Sequence, residues 1–248
     1  MIDLARLVLD PAKIQTVAVV ISRTRYGNLH IGIAHRDSDN FRVLHLAWDC
    51  QLEDEPLEAS DAFPNGVFVL PDFEFEEEGD YLLTMCRRIR DRPENRGITY
   101  CLGSFPFPEA YFDESGIFCT LDPRYGLNCS TFVVRVFESG KCPLVRIEGW
   151  PRRQDDIPCQ QWLVAYLEGA LRTDPGGSIT QAKVDFAQSQ IGCPRIRPHE
   201  SAGACLEPRG SLPIGFALCK ANGDVIHAIL RRIDAEVGFS HTVAHPCG

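Results

Sequence analysis

"NLHIGIAHRDSDNFRVLHLAW", residues 28–48, decides the fold. Alternation in its first half places Leu29, Ile31 and Ile33 on one side and His30, Gly32 and Ala34 on the other. In the second half Phe41, Val43, His45 and Ala47 share a side. "RDSDN" between them is made of turn formers, so the stretch predicts an antiparallel hairpin. A symmetrical turn centred between Ser38 and Asp39 pairs His30 with Ala47 and His45 with Gly32. Opposed residues point the same way, which makes the two histidines diagonal neighbours, about 7–8 Å apart or less at Cβ. A one-residue slip would put them on opposite faces. The small residues beside His30 leave room for a facing helix or a substrate. Two histidines merely satisfied by hydrogen bonds in a half-buried sheet are the plainer reading of the same pattern.

Outward from the hairpin, "TVAVVIS" (16–22) is a β-branched run that predicts a buried strand, and "GVFVLP" (66–71) and "GITYCLGSF" (97–105) predict two more. "DYLLTMCRRIRDRP" (80–93) reads as a helix capped by Asp80 and stopped by Pro93. The Pro- and Gly-rich "FPFPEAYFDESG" (105–116) is a loop, and "GWPRRQDDIPC" (149–159) is a candidate domain boundary. "QQWLVAYLEGALR" and "SITQAKVDFAQSQIG" carry amphipathic helix patterns. "PIGFALCKANGDVIHAILRRI" (213–233) reads as a second hairpin turning at Asn222-Gly223. Hairpins interrupted by helices make the chain α+β rather than a doubly wound parallel sheet.

Composition narrows the function. The 248 residues suffice for one large core or two small ones. No apolar stretch approaches the roughly 20 residues that span a bilayer. The opening "MIDLARLVLDPAKIQ" lacks the pattern of a signal peptide. A cytoplasmic protein, or one delivered by a signal-independent route, is the expectation. Eleven cysteines without any C-x-x-C point to reduced thiols rather than a disulfide framework or a zinc ribbon. His241, His245 and Cys247 could share a metal only if the tail were helical, which Pro246 opposes. The net charge of −9 argues against nucleic acid as a partner. From Gln51 to Asp80 there are eleven acids and no Lys or Arg, which reads as a solvated loop or as a surface for a basic protein partner.

"YGLNCSTFVVRVFESGKCP" (125–143) carries the chemistry. Asn128 is a good N-cap, and Phe132, Val133, Val136 and Phe137 form one helical stripe. Gly140 would end the helix in a left-handed position. The Val-rich centre also fits a buried strand. On the helical reading Cys129 sits in the first turn, where unpaired N–H groups lower a thiol pKa and stabilise an oxyanion. Asn128 and Ser130 are then the candidate oxyanion or substrate-binding residues.

"LHIGIAHRDSDNFRVLHLAWD" followed by "NCSTFV" resembles the circularly permuted branch of the papain-like NlpC/P60 superfamily, in particular the lecithin:retinol acyltransferase-like proteins. Those have a His opening an apolar strand, a second His before Leu on the next strand, and a later Asn-Cys at a helix start. "YGLNCSTFVVRVFESGKCP" also looks like the Asn-Cys helix of the PPPDE-type isopeptidases. The resemblance implies a papain-like antiparallel sheet packed against helices as the catalytic core, residues 1–150. Residues 151–248 would add helices and a hairpin packed on or completing that domain. It implies Cys129 as nucleophile, His30 as general base and His45 as its polar partner, with no metal or organic cofactor. Implied substrates are peptide, isopeptide, peptidoglycan or acyl-lipid carbonyls. The loop between the histidines is longer than in those relatives, and the C-terminal third has no counterpart there. His227, in the second predicted hairpin, is the competing base, since unpermuted members place Cys before His. A non-catalytic binding or immunity-type protein that holds a basic partner through its acidic stretch is the alternative function.

Overall fold

A computed structural model describes residues 4–38, 40–47, 51–103, 110–120, 125–174, 177 and 179–238. The strands are β1 (Leu7–Val8), β2 (Val17–Arg23), β3 (Leu29–Asp37), β4 (Asn40–Leu46), β5 (Leu52–Pro56) and β6 (Val67–Val69). They form one sheet in the order β1-β6-β2-β3-β4-β5, with every pair antiparallel. The helices are α1 (Glu76–Arg90), α2 (Cys129–Ser139), α3 (Ile157–Thr173), α4 (Gln181–Ser189), α5 (Pro198–Ala204) and α6 (Phe216–Glu236). The chain is therefore α+β.

The central hairpin takes the expected register, with Asp37 opposite Asn40 and Ile33 opposite Leu44. Ser38, at the turn, has φ 57°, the left-handed value of a tight two-residue connection. On one face of the sheet Val19, Ile21, Ile31, Ile33, Leu44 and Leu46 join a core built by α1, α2, α5 and α6. The opposite face carries a smaller cluster of Val20, Ala34, Val43, Phe63 and Phe68. Strand β2 is buried from Val17 to Ser22 because both of its faces are covered, which explains its unbroken apolar run.

The hairpin ladder has an end that matters. Pairing between β3 and β4 stops at Ile33 and Leu44. Strand β3 nevertheless stays paired with β2 down to Leu29, and β4 stays paired with β5 up to Leu46. The sheet is thus split between β3 and β4 at the level of His30 and His45.

Several expectations are corrected. The second hairpin is a single helix, α6. Its buried residues Cys219, Asn222, Gly223, Ile226 and Leu230 follow helical spacing. Gly223 serves close packing rather than a turn, since a Cβ there would lie 2.9 Å from His199 Cδ2 and 3.0 Å from Glu200 Cα. Asn222 donates to Gly203 O and Glu207 Oε1, tying α6 to the α5 region. The likeness between the two predicted hairpins is therefore no duplication.

Helix α1 starts at Glu76, four residues before Asp80, because three glutamates in its first turn suit the positive helix end and Glu78 accepts the Glu74 N–H. Residues 97–103 make an isolated parallel bridge, Tyr100 to Leu127, rather than a strand. Gly140 ends α2 at φ −74°, and it is Lys141 that takes the left-handed value. Gly140 is needed for contact with α1, where its Cβ would meet Leu82 Cδ1 at 2.6 Å.

Residues 151–157 are no linker. Arg153 and Asp156 enter a buried ion cluster with Arg195, Arg197 and Glu200. Residues of α5 and α6 share one core with β2, β3 and α2, so packing crosses position 150 without a boundary. Eight described cysteines are free thiols, and Cys159 departs from the reduced expectation by being disulfide-bonded. The acidic stretch is not one loop. It builds β5, β6 and the start of α1, and its acids Glu58, Asp61, Asp72, Glu74, Glu76, Glu77 and Asp80 are exposed. Among the described residues no helix is long and apolar enough to cross a membrane. His241, His245 and Cys247 lie outside the described residues.

Candidate active site

His30 and His45 meet as the hairpin register requires. His30 Nε2 lies 2.9 Å from His45 Nδ1, and the rings cross edge to face at 84°. Phe63 caps both imidazoles at 5.2 Å. The space expected beside His30 is filled, because a Cβ on Gly32 would come within 2.9 Å of Phe63 and Val43 and 3.0 Å of His45. Gly32 is there so that this aromatic cluster can close on the sheet.

The other nitrogen of His45 points to β5, where alternation puts Glu53 and Glu55 on the histidine side. His45 Nε2 is 3.2 Å from Glu55 Oε1 and 3.7 Å from Glu53 Oε2. The Ser60 hydroxyl also donates to Glu55. The hydrogen bond from His45 holds the Glu55 carboxyl below its usual range, so it is an ionised acceptor. That assignment propagates along the chain of rings. With a proton on Nε2 facing Glu55, His45 Nδ1 accepts from His30 Nε2–H. His30 Nδ1 is left with an unshared lone pair. Burial pushes the His30 pKa well down, with the neighbouring His45 adding to the effect, so this ring is a neutral base.

Cys129 opens α2, and the local sequence explains why. Asn128 Oδ1 accepts from Ser130 N at 3.1 Å and Thr131 N at 3.0 Å, while the Thr131 hydroxyl accepts from Asn128 N, completing a capping box. Asn128 Nδ2 donates to Cys101 O. Leu127 N donates to Thr99 O, and Cys101 N to Leu127 O. These bonds fix the residue before the cysteine on three sides. The half-buried Cys129 sits at the split in the sheet, where its sulfur takes the N–H of Ile31 and a contact from the Ser130 side chain.

Cys129 and His30 line one cleft, together with Asn28, Leu163 and Arg195. An adjoining cleft is lined by His30, His45, Glu53, Glu55 and Asp61. The structure thus places His30, His45 and Cys129 in one region and sets His227 apart from it. His227 lies on α6, stacked on His199 at 5.1 Å and beside Arg23, away from both clefts.

Two electrostatic expectations change. The helix start does not lower the thiol. Burial raises the Cys129 pKa, and Arg195, Ser130 and the Ile31 N–H offset only part of that. Desolvation in the split therefore outweighs the helix end. The thiol and the imidazole that line this cleft are both neutral at rest. The expected oxyanion donors are also engaged, since the N–H groups of Ser130 and Thr131 are held by Asn128, whose own amide is bound on both atoms. Asn128 holds the start of α2, and Ser130 touches the sulfur.

Glu55, Phe63 and Arg195 were not read from the sequence. The alternation in "LEDEP" (52–56) directly after the hairpin was the available signal for Glu55. Arg195 lies between α4 and α5 and has no sequence signal. The donor atoms of His45, Glu53 and Glu55 fall within 4.8 Å of one another, a set that suits a divalent cation. The same atoms fix the histidine tautomers. No family model matches the chain, and no curated protein or solved structure matches it either.

Proposed function

We propose that the protein is a cysteine-dependent hydrolase or acyltransferase acting on an amide, isopeptide or ester carbonyl, of the permuted papain-like type. The observation that supports this reading is the Glu55–His45–His30 relay, whose last imidazole lines the same cleft as Cys129. The neutral resting pair makes His30 a general base acting during attack rather than a partner to a standing thiolate. The Cys129 S–H proton passes to His30 Nδ1 as the sulfur–carbon bond forms. The imidazolium gains stability from Glu55 through His45. His30 then protonates the leaving amine or alkoxide as its bond to the carbonyl carbon breaks. Water or an acceptor nucleophile, deprotonated by His30, attacks the thioester and restores the thiol.

The test needs no substrate. Alkylation by iodoacetamide, read by peptide mass spectrometry, should label Cys129 ahead of the buried Cys86, Cys101, Cys142, Cys193, Cys205 and Cys219 and at least as fast as the exposed Cys119. His30→Ala should slow it by about a hundredfold, the usual worth of a general base, and Glu55→Gln by a smaller factor. Cys129 reacting no faster than the buried thiols, or indifferent to His30→Ala, would overturn the assignment.

The acids that a binding protein would offer a basic partner are divided. Glu55, Asp54 and Glu78 are bound internally to His45, His35 and Arg209, while Glu58, Asp61, Asp72, Glu74, Glu76, Glu77 and Asp80 are exposed.

A further inference from the structure

Three arginines meet beside the cleft, and they are not equally satisfied. Arg153 binds Asp156 Oδ2 at 2.8 Å and also Glu200. Arg197 binds Asp155 at 2.7 Å and Asp156 Oδ1 at 2.9 Å. Arg195 has one side-chain ion pair among the described residues, 3.4 Å from Nη1 to the same Asp156 Oδ1 that Arg197 already holds. Its side chain is only 12% exposed, and it lines the cleft with Cys129 and His30. A guanidinium carries five N–H donors in a planar fork, so most of them have no protein partner among the described residues.

A second, independent group lines the same cleft. Asn28 is 5% exposed, and its Oδ1 is buried with no hydrogen-bond partner among the described residues. A buried acceptor left bare is costly and is kept where something else supplies the donor. Leu29, Leu46, Ala47 and Leu163 add apolar wall, and Thr24 and Tyr100 line it as well. A cationic fork with donors to spare and a bare acceptor within one cleft call for a ligand with an anion and an N–H. The neighbouring cleft bears Glu53, Glu55 and Asp61, so it repels the same anion.

We propose that this cleft is a carboxylate subsite, in which Arg195 holds the carboxylate and Asn28 Oδ1 accepts the N–H of an acylated amino acid or peptide end. The inference rests on the acyl-transfer reading, and it names the substrate class: amides bearing a carboxylate close to the scissile carbonyl. Arg195 is the residue that sets specificity, and Asn28 orients the amide.

N-acetylglycine and its neutral analogue N-acetylglycinamide test it, because both carry the N–H and only the first carries the anion. Each is titrated into the full chain while the histidine imidazole signals are followed by NMR. N-acetylglycine should bind about tenfold or more tightly than the analogue, the worth of one charge-assisted bond. Arg195→Gln should erase the preference, Arg195→Lys should keep part of it, and Asn28→Ala should weaken both probes alike. Equal binding of the two probes, shifts from neither, or a preference that survives Arg195→Gln would overturn the subsite. The wild-type comparison stands even if an Arg195 variant fails to fold. Cys129→Ala should keep the preference. A preference found alongside an inert Cys129 would therefore sink the enzyme reading and leave the subsite, whereas a reactive Cys129 with no preference would do the reverse.

Discussion

Asn128 is where the fold and the site are joined most tightly, and its replacement gives the sharpest test. Its Oδ1 satisfies two N–H groups at the start of α2, and its Nδ2 satisfies the carbonyl of Cys101 in a region 5% exposed. Asn128→Ala removes the cap, costing about 1 kcal/mol. It also removes the hydrogen bond from Asn128 Nδ2 to the buried Cys101 carbonyl, costing about 1 kcal/mol. A total loss of about 2 kcal/mol is expected in urea unfolding. Asn128→Ser keeps the capping oxygen and loses only the bond to Cys101, so it should fall about 1 kcal/mol short of the alanine loss. Both variants should slow Cys129 alkylation, since the sulfur is held at the split in the sheet by the same helix start. An Asn128→Ala protein within about 0.5 kcal/mol of wild type would show that these bonds do not hold the helix start, and the account of how Cys129 is positioned would fail with it.

Acid and base bear on the buried groups in opposite ways. Burial lowers His30 and His199 well below the ordinary histidine value, so they stay neutral in the fold and take up protons only on unfolding. The unfolded chain then binds more protons below about pH 6.5, and stability should fall there by up to about 1.4 kcal/mol per pH unit for each histidine. Equal melting temperatures at neutral and mildly acidic pH would contradict this. The raised Cys129 thiol should make its alkylation rate climb past pH 9, and a plateau near neutrality would contradict the burial argument. Gly223→Ala should destabilise by about 1–3 kcal/mol through overpacking of α5 on α6, and a neutral result in urea unfolding would show that the two helices separate freely.

The hairpin was legible because period-2 alternation and a symmetrical turn leave one register that buries Ile31, Ile33 and Leu44 together. The same register brought His30 to His45. Helix α2 was legible through Asn128, whose cap chemistry is local. Helix α6 was not, because Asn222-Gly223 has the same composition whether it turns a hairpin or lets α5 approach a helix face. Residues 97–103 misled for a related reason, since an apolar run says that it is buried and not what it pairs with.

Sequence alone determined what depends on neighbours along the chain: strand alternation, the two-residue turn, the histidine register and the cap that starts α2 at Cys129. Tertiary structure decided the split between β3 and β4, the placing of Cys129 against Ile31, the seating of Glu55 on His45, and the arrival of Arg195 beside the thiol. It also reversed the expected thiol pKa. Periodicity and capping are short-range and leave marks in a few adjacent letters. Burial and charge act through space, between residues such as Cys129 and Arg195 that the fold alone brings together.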